Sequence, residues 1–320
     1  MGLPLAIYFG FFCLFTWPWI AHFDNRFFTD TGDGFQNVWN MWWVNKSVTQ
    51  LHQLPWHTTY LHTPFGTTLL GQTLNPFNGF VAIALLRVMP LMQAFNTMVI
   101  FSFTVGGLTA FWLCYSFSRR YGASLVGGFV FTFSSFHFTH AVAHMQLVSL
   151  EWIPLFVLLW WQLCTAPTLL RAAGASVALL LVLLCDYYYF LYSVGVAVLI
   201  LLYLWRTHQT ARVRDRSTRR AFALFAGLAL VICAPLPVAL LRFNAHDPLL
   251  GAHNPRAYST DLFAPFVDGG FWHFASLTHF YWRHVRTAVS ESSVYLGTSV
   301  VALLAIAAIR RSKVHRDATF

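Results

Sequence analysis

Long apolar segments with very few charges constrain this chain more than any other feature. Of its 320 residues, 57% are hydrophobic and 10% are charged, whereas an average soluble domain has about 25% charged residues. A membrane-spanning helix needs about 20 apolar residues. Segments of this kind occupy residues 3–21, 93–117, 122–139, 146–165, 169–185, 188–205, 221–241 and 294–310. We therefore predict an all-α polytopic membrane protein with eight transmembrane helices, forming one membrane domain over residues 1–320.

The positive charges predict an orientation for these helices. Arginine and lysine are concentrated in short segments such as 206–220 and the stretch after residue 309, and such segments face the cytoplasm in multi-pass proteins. Both termini are then cytoplasmic, and two large loops, 22–76 and 242–293, lie outside. The apolar segment 77–91 is short and contains Arg87, so we expect it not to span. The net charge of +9 follows from this topology and does not indicate a nucleic-acid partner.

The first outer loop contains three of the eleven acidic residues, Asp24, Asp30 and Asp33. Gly32 and Gly34 flank Asp33 and widen the backbone conformations open to it, and a helical pattern begins at about residue 35. A carboxylate at this place can act as a general base toward an acceptor hydroxyl, or it can bind a divalent metal ion. The alternatives are an N-terminal helix cap for Asp33 and solvated loop charges for the other two acids.

The helix predicted after residue 35 has an aliphatic face and an opposite face of aromatic and amide side chains. It is too polar to cross a bilayer, and we expect it to lie along one. Tryptophan rings stack on sugars because they combine an apolar face with a polar edge. The second face therefore predicts a sugar-binding surface formed by Gln36, Trp39, Trp42 and Trp43. Anchoring of the rings at the membrane interface is the alternative.

Three histidines, His137, His140 and His144, follow an i, i+3, i+7 spacing near the outer end of a predicted span. On one helix these imidazoles share a face, where they can contact an anionic lipid phosphate or bind a metal. The spacing is not that of the zinc-protease helix, and no cysteine is adjacent, so an anionic lipid phosphate is the better-supported ligand. Interfacial histidines paired with backbone groups or lipid headgroups are the alternative.

Two further acids, Glu151 and Asp186, lie at the outer ends of predicted helices. An acid at membrane depth is costly and marks a functional site by default, so both are candidate functional residues. The alternative for Glu151 is a place in the first turn of its helix, where it complements the helix dipole. The chain has no phosphate-binding loop, dinucleotide-binding or nucleophile-elbow motif, which excludes a soluble nucleotide-handling domain.

Several short blocks together resemble a group of bacterial polytopic proteins that are similar to the GT-C class of integral-membrane glycosyltransferases. The order and spacing of the blocks, over about residues 20–300, carry the resemblance. The blocks are Gly32 to Gln36 with Trp39, Asn40, Trp42 and Trp43; Thr73, Asn75, Pro76, Asn78 and Gly79; Ser134 to His137 with His140, His144 and Gln146, followed by Trp152 to Leu155; Asp186 to Tyr189; and Glu291 with Tyr295, Leu296 and Gly297.

The resemblance implies an enzyme that moves a sugar from a polyprenyl-phosphate donor to a lipid or cell-surface glycan acceptor. It implies a multi-pass protein of the bacterial inner membrane with an extracytoplasmic active face. Asp33 matches the position of the catalytic base, which this class carries in its first outer loop. Many of its members also carry a second acid, for which the candidates are Asp24, Asp30, Glu151 and Asp186. The lipid-linked sugar, the acceptor and the bilayer are the expected partners. The resemblance establishes no cofactor, and it leaves the need for a divalent metal ion open.

A non-catalytic membrane protein that binds or translocates lipid-linked glycans is the alternative function. Transporters commonly have polar residues deep in several spans and internal repeats. The predicted spans have little polarity near their centres, and the chain has no visible repeat. The sequence therefore favours the enzyme.

Overall fold

The computed structural model describes residues 2–211, 215–246, 254, 258–268, 275–285 and 294–317, with the backbone alone for residues 275 and 311–317. These residues are mostly helical, which confirms the all-α part of the predicted fold class. The helices are α1 Gly2–Phe15, α2 Asp33–Thr49, α3 Pro76–Leu85, α4 Leu91–Ser118, α5 Tyr121–Thr132, α6 Ser135–Ala141, α7 Met145–Val148, α8 Trp152–Thr165, α9 Leu169–Cys185, α10 Tyr187–Arg206, α11 Arg216–Cys233, α12 Pro235–His246, α13 His279–Trp282 and α14 Thr298–Asp317. Short 3-10 helices occur at Trp19–His22, Ala264–Phe266 and Ala275–Leu277.

Among the described residues, two helices, α4 and α10, are long and apolar enough to cross a membrane. The pair α11 and α12 is bent by 46° at its junction and adds a third if it forms one broken span. The other apolar helices have 10–17 residues, fewer than the roughly 20 that a span needs. Eight full-length spans are therefore not supported. The predicted segments are longer than the helices because helix ends interrupt them, for example after Thr132 and between Val148 and Trp152.

The chain divides into two compact units, Met1–Thr132 with Ala141–Leu249, and Phe133–His140 with Leu250–Phe320. In the first unit α1, α5 and α8 pack against α4. Tyr8 of α1 is 1% exposed and donates a hydrogen bond to a carbonyl of α5 at 3.1 Å. A β-carbon on Gly107 or Gly128 would lie within 2.7 Å of Tyr8. Small residues at helix contacts are typical of packing in membranes.

Protein covers part of both faces of α2, the helix that was expected to lie along a bilayer. Trp43 and Val44 form a buried cluster with Leu69 and Leu74, which follow the only strands in the described part of the chain. These strands, His57–Thr58 and Thr67–Thr68, pair antiparallel. Two-residue strands have no alternating pattern that a sequence could reveal, so the segment after α2 was predicted only as a loop.

In the second unit, short hydrogen-bonded turns join the described pieces. Trp282 donates through its indole N–H to the carbonyl oxygen of Asp268 at 2.9 Å. The phenol of Tyr281 donates to the carboxylate of Asp261, and this hydrogen bond holds the pKa of Asp261 below its usual value. Glu291, part of the last block of the family resemblance, lies outside the described residues.

Candidate functional site

The N-terminus of α2 is capped by Asp30 and not by Asp33. The Oδ1 atom of Asp30 accepts hydrogen bonds from the backbone N–H of Gly34 at 2.8 Å and of Gly32 at 3.2 Å. A β-carbon on Gly34 would lie 2.0 Å from the hydroxyl oxygen of Thr29, so only glycine fits there. Asp33 is itself the first helical residue, slightly earlier than the predicted start. The alternative role of Asp33 as the helix cap is therefore wrong, and its carboxylate is not used for that purpose.

Asp33 lies beside His144. The Oδ2 atom of Asp33 is 3.5 Å from Nε2 of His144, and the two side chains are 70% and 26% exposed. This distance is longer than a well-formed hydrogen bond, and catalytic pairs are often this loose before a substrate binds. A carboxylate beside an imidazole, both reached by solvent, can accept a proton from a bound hydroxyl.

Buried hydrogen bonds fix Asp33 against the segment between α6 and α7. The carbonyl oxygen of Val142 accepts from the backbone N–H of Asp30 at 2.7 Å. One turn along α2, Nδ2 of Asn37 donates to the carbonyl oxygens of both Asp33 and Ala143, each at 2.9 Å. The arrangement of the acid and the imidazole is thus set by the backbone on both sides. Asn37 was not among the predicted site residues, although an amide within a helical pattern signals a buried hydrogen bond where the helix packs against protein.

A cavity of about 320 Å³ borders α2. Asp33, Gln36 and Asn40 are spaced i, i+3, i+7 and therefore follow one another along one side of the helix. Gln36 and Asn40 line the cavity together with Trp39, and residues of the 61–72 segment form the rest of its wall. The Nδ2 atom of Asn40 donates to the carbonyl oxygen of Thr73 at 2.8 Å. Ligand pockets usually span about 300–1,000 Å³, so this volume suits one small ligand.

The four predicted sugar-binding residues separate into two groups. Gln36 and Trp39 line the cavity. Trp43 is 0% exposed and donates its indole N–H to the carbonyl oxygen of Pro55 at 3.0 Å, so it stabilises the core and offers no surface to a sugar. Trp42 does not line this cavity; the ammonium of Lys46 lies 5.7 Å from its ring. Helical spacing correctly predicted that these residues share one face of α2. It could not show which part of that face another segment of the chain covers.

The three predicted phosphate-binding histidines do not share one helix face. His137 and His140 lie on α6, which ends at Ala141, whereas His144 comes after a break and precedes α7. His137 is 0% exposed and His140 is 2% exposed, with the His140 ring 4.3 Å from that of Phe136. The structure brings His144 to Asp33, and a role of the other two histidines at a donor phosphate stays a prediction.

Asp24, Asp30 and Asp186 occupy different settings among the predicted second acids. Asp24 is exposed in the loop, and Asp30 is the cap described above. Asp186 caps α10, because its Oδ1 accepts from the backbone N–H groups of Tyr188 at 2.7 Å and Tyr189 at 3.1 Å. Burial raises the pKa of Asp186, and these two hydrogen bonds oppose the rise. The carboxylates of Asp30 and Asp186 therefore each serve to cap a helix.

Glu151, the fourth predicted second acid, is 0% exposed within the helix packing. Its Oε2 lies 2.8 Å from the hydroxyl oxygen of Ser102, which also contacts the carbonyl oxygen of Val148. A hydroxyl carries one proton and a carbonyl carries none, so a proton on Glu151 is needed to satisfy both contacts. The Oε1 atom has no hydrogen-bond partner among the described residues. These contacts indicate a neutral carboxylic acid and not an exposed base.

A buried amide layer near α3 is a further feature that sequence reasoning did not assign. The hydroxyl oxygen of Ser149 accepts from Nδ2 of Asn75 at 2.9 Å and from Nδ2 of Asn78 at 3.1 Å. Asn75 also caps α3 by accepting from the backbone N–H of Asn78 at 3.1 Å. The layer ties the start of α3 to the end of α7.

The described residues do not assemble three or more His, Cys, Asp or Glu side chains that could hold a metal ion. Asp33 and His144 together supply two adjacent groups. A divalent ion at this place would need further ligands, such as the oxygens of a bound phosphate.

One comparison with known proteins gave a match. A family model described as a domain of unknown function (DUF6311) matches residues 5–320. No curated protein and no solved structure matches the chain. Asp33, His144 and the cavity beside α2 all fall within the matched residues.

Proposed function

Because the chain belongs to the DUF6311 family, whose function is unknown, we propose its activity from its own residues. We propose that it is a membrane glycosyltransferase that moves a sugar from a polyprenyl-phosphate donor to a lipid or cell-surface glycan acceptor. The observation that carries the proposal is the pair of Asp33 and His144, whose side chains are both reached by solvent, one helical turn from the cavity-lining Gln36. An acid–base pair near a concave pocket is the usual arrangement of an enzyme site.

In the proposed reaction Asp33 is the general base. Its carboxylate takes the proton of the acceptor hydroxyl, whose oxygen forms a bond to the anomeric carbon of the sugar. The bond between that carbon and the donor phosphate breaks, and the polyprenyl phosphate leaves with the electron pair. His144 keeps the carboxylate oriented, and in its protonated form it also attracts the phosphate.

The cavity beside α2 is proposed to hold the transferred sugar. Trp39 is half-buried and offers part of its ring, which suits the apolar face of a sugar. Gln36 and Asn40 add amide groups that can donate to and accept from hydroxyls. A cavity of about 320 Å³ admits the sugar unit, while the long polyprenyl chain would remain in the bilayer.

The proposal includes a multi-pass arrangement of eight spans in the bacterial inner membrane, with the active face outside. The long apolar helices α4 and α10 support it, as do the shorter apolar helices α1, α5, α8 and α9 that pack in the same unit. Short hydrophobic helices can cross where the bilayer thins or where flanking residues reach its surface. The arginines of segment 206–220 favour a cytoplasmic place for that segment.

Sugar transfer from a polyprenyl-phosphate donor pool tests the function, in membranes that contain equal amounts of each variant. We expect Asp33→Asn to lower transfer by about 10²–10⁴-fold, the usual contribution of a positioned base. Folding should be unchanged, because Asp30 caps the helix. The comparison is Asp24→Asn, which changes an exposed acid of the same loop and should cost less transfer than Asp33→Asn, unless Asp24 is the second catalytic acid.

Two outcomes would count against the proposal. Transfer by Asp33→Asn at the wild-type rate would remove Asp33 from the mechanism. If the wild type transferred no sugar from any donor, the enzyme would give way to the alternative, a non-catalytic protein that binds or translocates lipid-linked glycans.

A further inference from the structure

A second cavity, of about 590 Å³, lies between the first turn of α9 and the first turn of α11. Its lining includes Arg171, Asp215, Ser217 and Thr218, and none of it comes from α2 or from the pair of Asp33 and His144. We infer that this cavity binds a phosphate group, carried either by free inorganic phosphate or by the headgroup of an anionic phospholipid.

The N-terminus of α11 gives the first part of the argument. Asp215 occupies the capping position, yet its side chain makes no capping hydrogen bond. The first N–H groups of an 18-residue helix are therefore left without a side-chain cap, and Ser217 and Thr218 of this turn line the cavity. Such a terminus carries partial positive charge and exposed N–H donors, which favour an anion.

Thr218 gives an independent observation. The residue is 2% exposed and lines the cavity, and the described residues include no hydrogen-bond partner for its hydroxyl. The hydroxyl oxygen is not one of the fully buried side-chain atoms that lack a partner, so it is reached from the cavity and can bond to a ligand there. A phosphate oxygen can bond to it together with the N–H groups of the same turn.

Arg171 supplies a formal positive charge on the α9 side. Its guanidinium is held in place by a hydrogen bond from Nη1 to the carbonyl oxygen of Ala166. This bond uses one of five guanidinium N–H donors, and the planar fork of the group matches two oxygens of a phosphate. The carboxylate of Asp215 is exposed at the rim and opposes an anion, so its removal should strengthen binding.

The full-length chain, purified in detergent and stripped of lipid, allows a test with two probes. One arm measures binding of radiolabelled inorganic phosphate by equilibrium dialysis. The other measures retention of phosphatidylglycerol against phosphatidylcholine by native mass spectrometry. The variants are Arg171→Gln, Thr218→Val and Asp215→Asn. The control is Arg220→Gln, which removes an exposed arginine of α11 that does not line the cavity.

We expect Arg171→Gln and Thr218→Val each to weaken binding about tenfold, as for loss of a hydrogen bond to a charged group. Asp215→Asn should strengthen binding about twofold to fivefold, a gain that misfolding cannot produce. If these substitutions change only the binding of inorganic phosphate, the ligand is free phosphate. If they change only the retention of phosphatidylglycerol, the ligand is a lipid headgroup. The inference is overturned if neither probe binds, if Arg220→Gln weakens binding as much as Arg171→Gln, or if Asp215→Asn brings no gain.

Discussion

The Nδ2 atom of Asn37 lies 2.9 Å from the carbonyl oxygen of Ala143, the residue before His144. The same atom donates to the carbonyl oxygen of Asp33, so one amide sets the spacing of the acid and the imidazole. In Asn37→Ala both carbonyls lose this donor, and we expect sugar transfer to fall about tenfold to hundredfold through misplacement of the pair. The unpaired groups should also lower the free energy of unfolding by about 1–3 kcal/mol.

Transfer rates and thermal unfolding of the same preparations would check this prediction for Asn37. The matched control is Asn45→Ala on the same helix, at a half-buried position outside the contacts of the pair. Unchanged transfer by Asn37→Ala would show that the pair keeps its geometry without the amide.

Replacement of Asp30 should affect folding more than chemistry. Asp30→Ala removes the acceptor of the Gly34 and Gly32 N–H groups, and loss of such a cap costs about 0.5–2 kcal/mol of stability. Asp30→Asn retains a capping oxygen and should be nearly neutral. Thermal unfolding distinguishes the two. If Asp30→Asn folded normally but lost transfer, Asp30 would be the second catalytic acid.

Substitutions of Trp43 and of Trp39 should have different effects, the first on stability and the second on sugar binding. Trp43→Ala empties a fully buried position and should cost about 3–5 kcal/mol in unfolding free energy. Trp39→Ala should cost less, because its ring is only half-buried, but it should raise the concentration of donor needed for half-maximal transfer. Donor titrations and unfolding curves provide both readouts. Equal effects of the two changes on donor use would argue against a sugar at Trp39.

The proton that we place on Glu151 can be examined by substitution. In Glu151→Gln the amide N–H can donate to Ser102 as the carboxylic acid would, so stability should change by less than about 1 kcal/mol. Glu151→Ala leaves a void in the helix packing and should cost about 2–5 kcal/mol. Thermal unfolding compares the two variants. A loss in Glu151→Gln as large as in Glu151→Ala would mean that the folded protein needs the charged carboxylate.

The proposed topology places Gly122, at the start of α5, on the cytoplasmic side. Truncation fusions at this residue should therefore be active with a cytoplasmic reporter and inactive with a periplasmic one. The expectation rests on Arg119 and Arg120, which precede α5, and on the preference of such residues for the cytoplasm. The opposite pattern would show that segment 77–91 crosses the membrane or that α1 does not.

The sequence was sufficient for the helical class but not for the joints between helices. The histidine spacing predicted one helix through residue 144, and no proline or glycine interrupts it. The helix nevertheless ends at Ala141, and the carbonyl groups of Val142 and Ala143 bond to the loop before α2 and to α2 itself. Contacts between segments so distant in the chain have no local signature, so the break and the resulting acid–imidazole pair were not predictable.

The exposure of Asp33 was predictable from its loop, whereas the burial of Trp43 was not. Asp33 lies between two glycines in a polar stretch, which places it outside a core. Trp43 lies four residues after Trp39 and therefore on the same predicted face of the helix. Its burial depends on residues 55 and 69–74, which cover it in the folded chain. Periodicity defines a face of a helix, but only the tertiary structure shows whether that face is covered.

The close contact between Gly34 and Thr29 bears on how variant libraries of this region should be read. Every amino acid other than glycine at position 34 introduces a β-carbon 2.0 Å from the Thr29 hydroxyl oxygen, and Thr29 is itself bonded to the carbonyl oxygen of Val142. In a saturation library of codons 29–37, variants of position 34 would therefore be lost because less folded protein accumulates. Variants of the neighbouring Asp33 would instead be lost because of the proposed chemistry. A library scored for both protein level and growth would assign the two neighbouring positions to different causes.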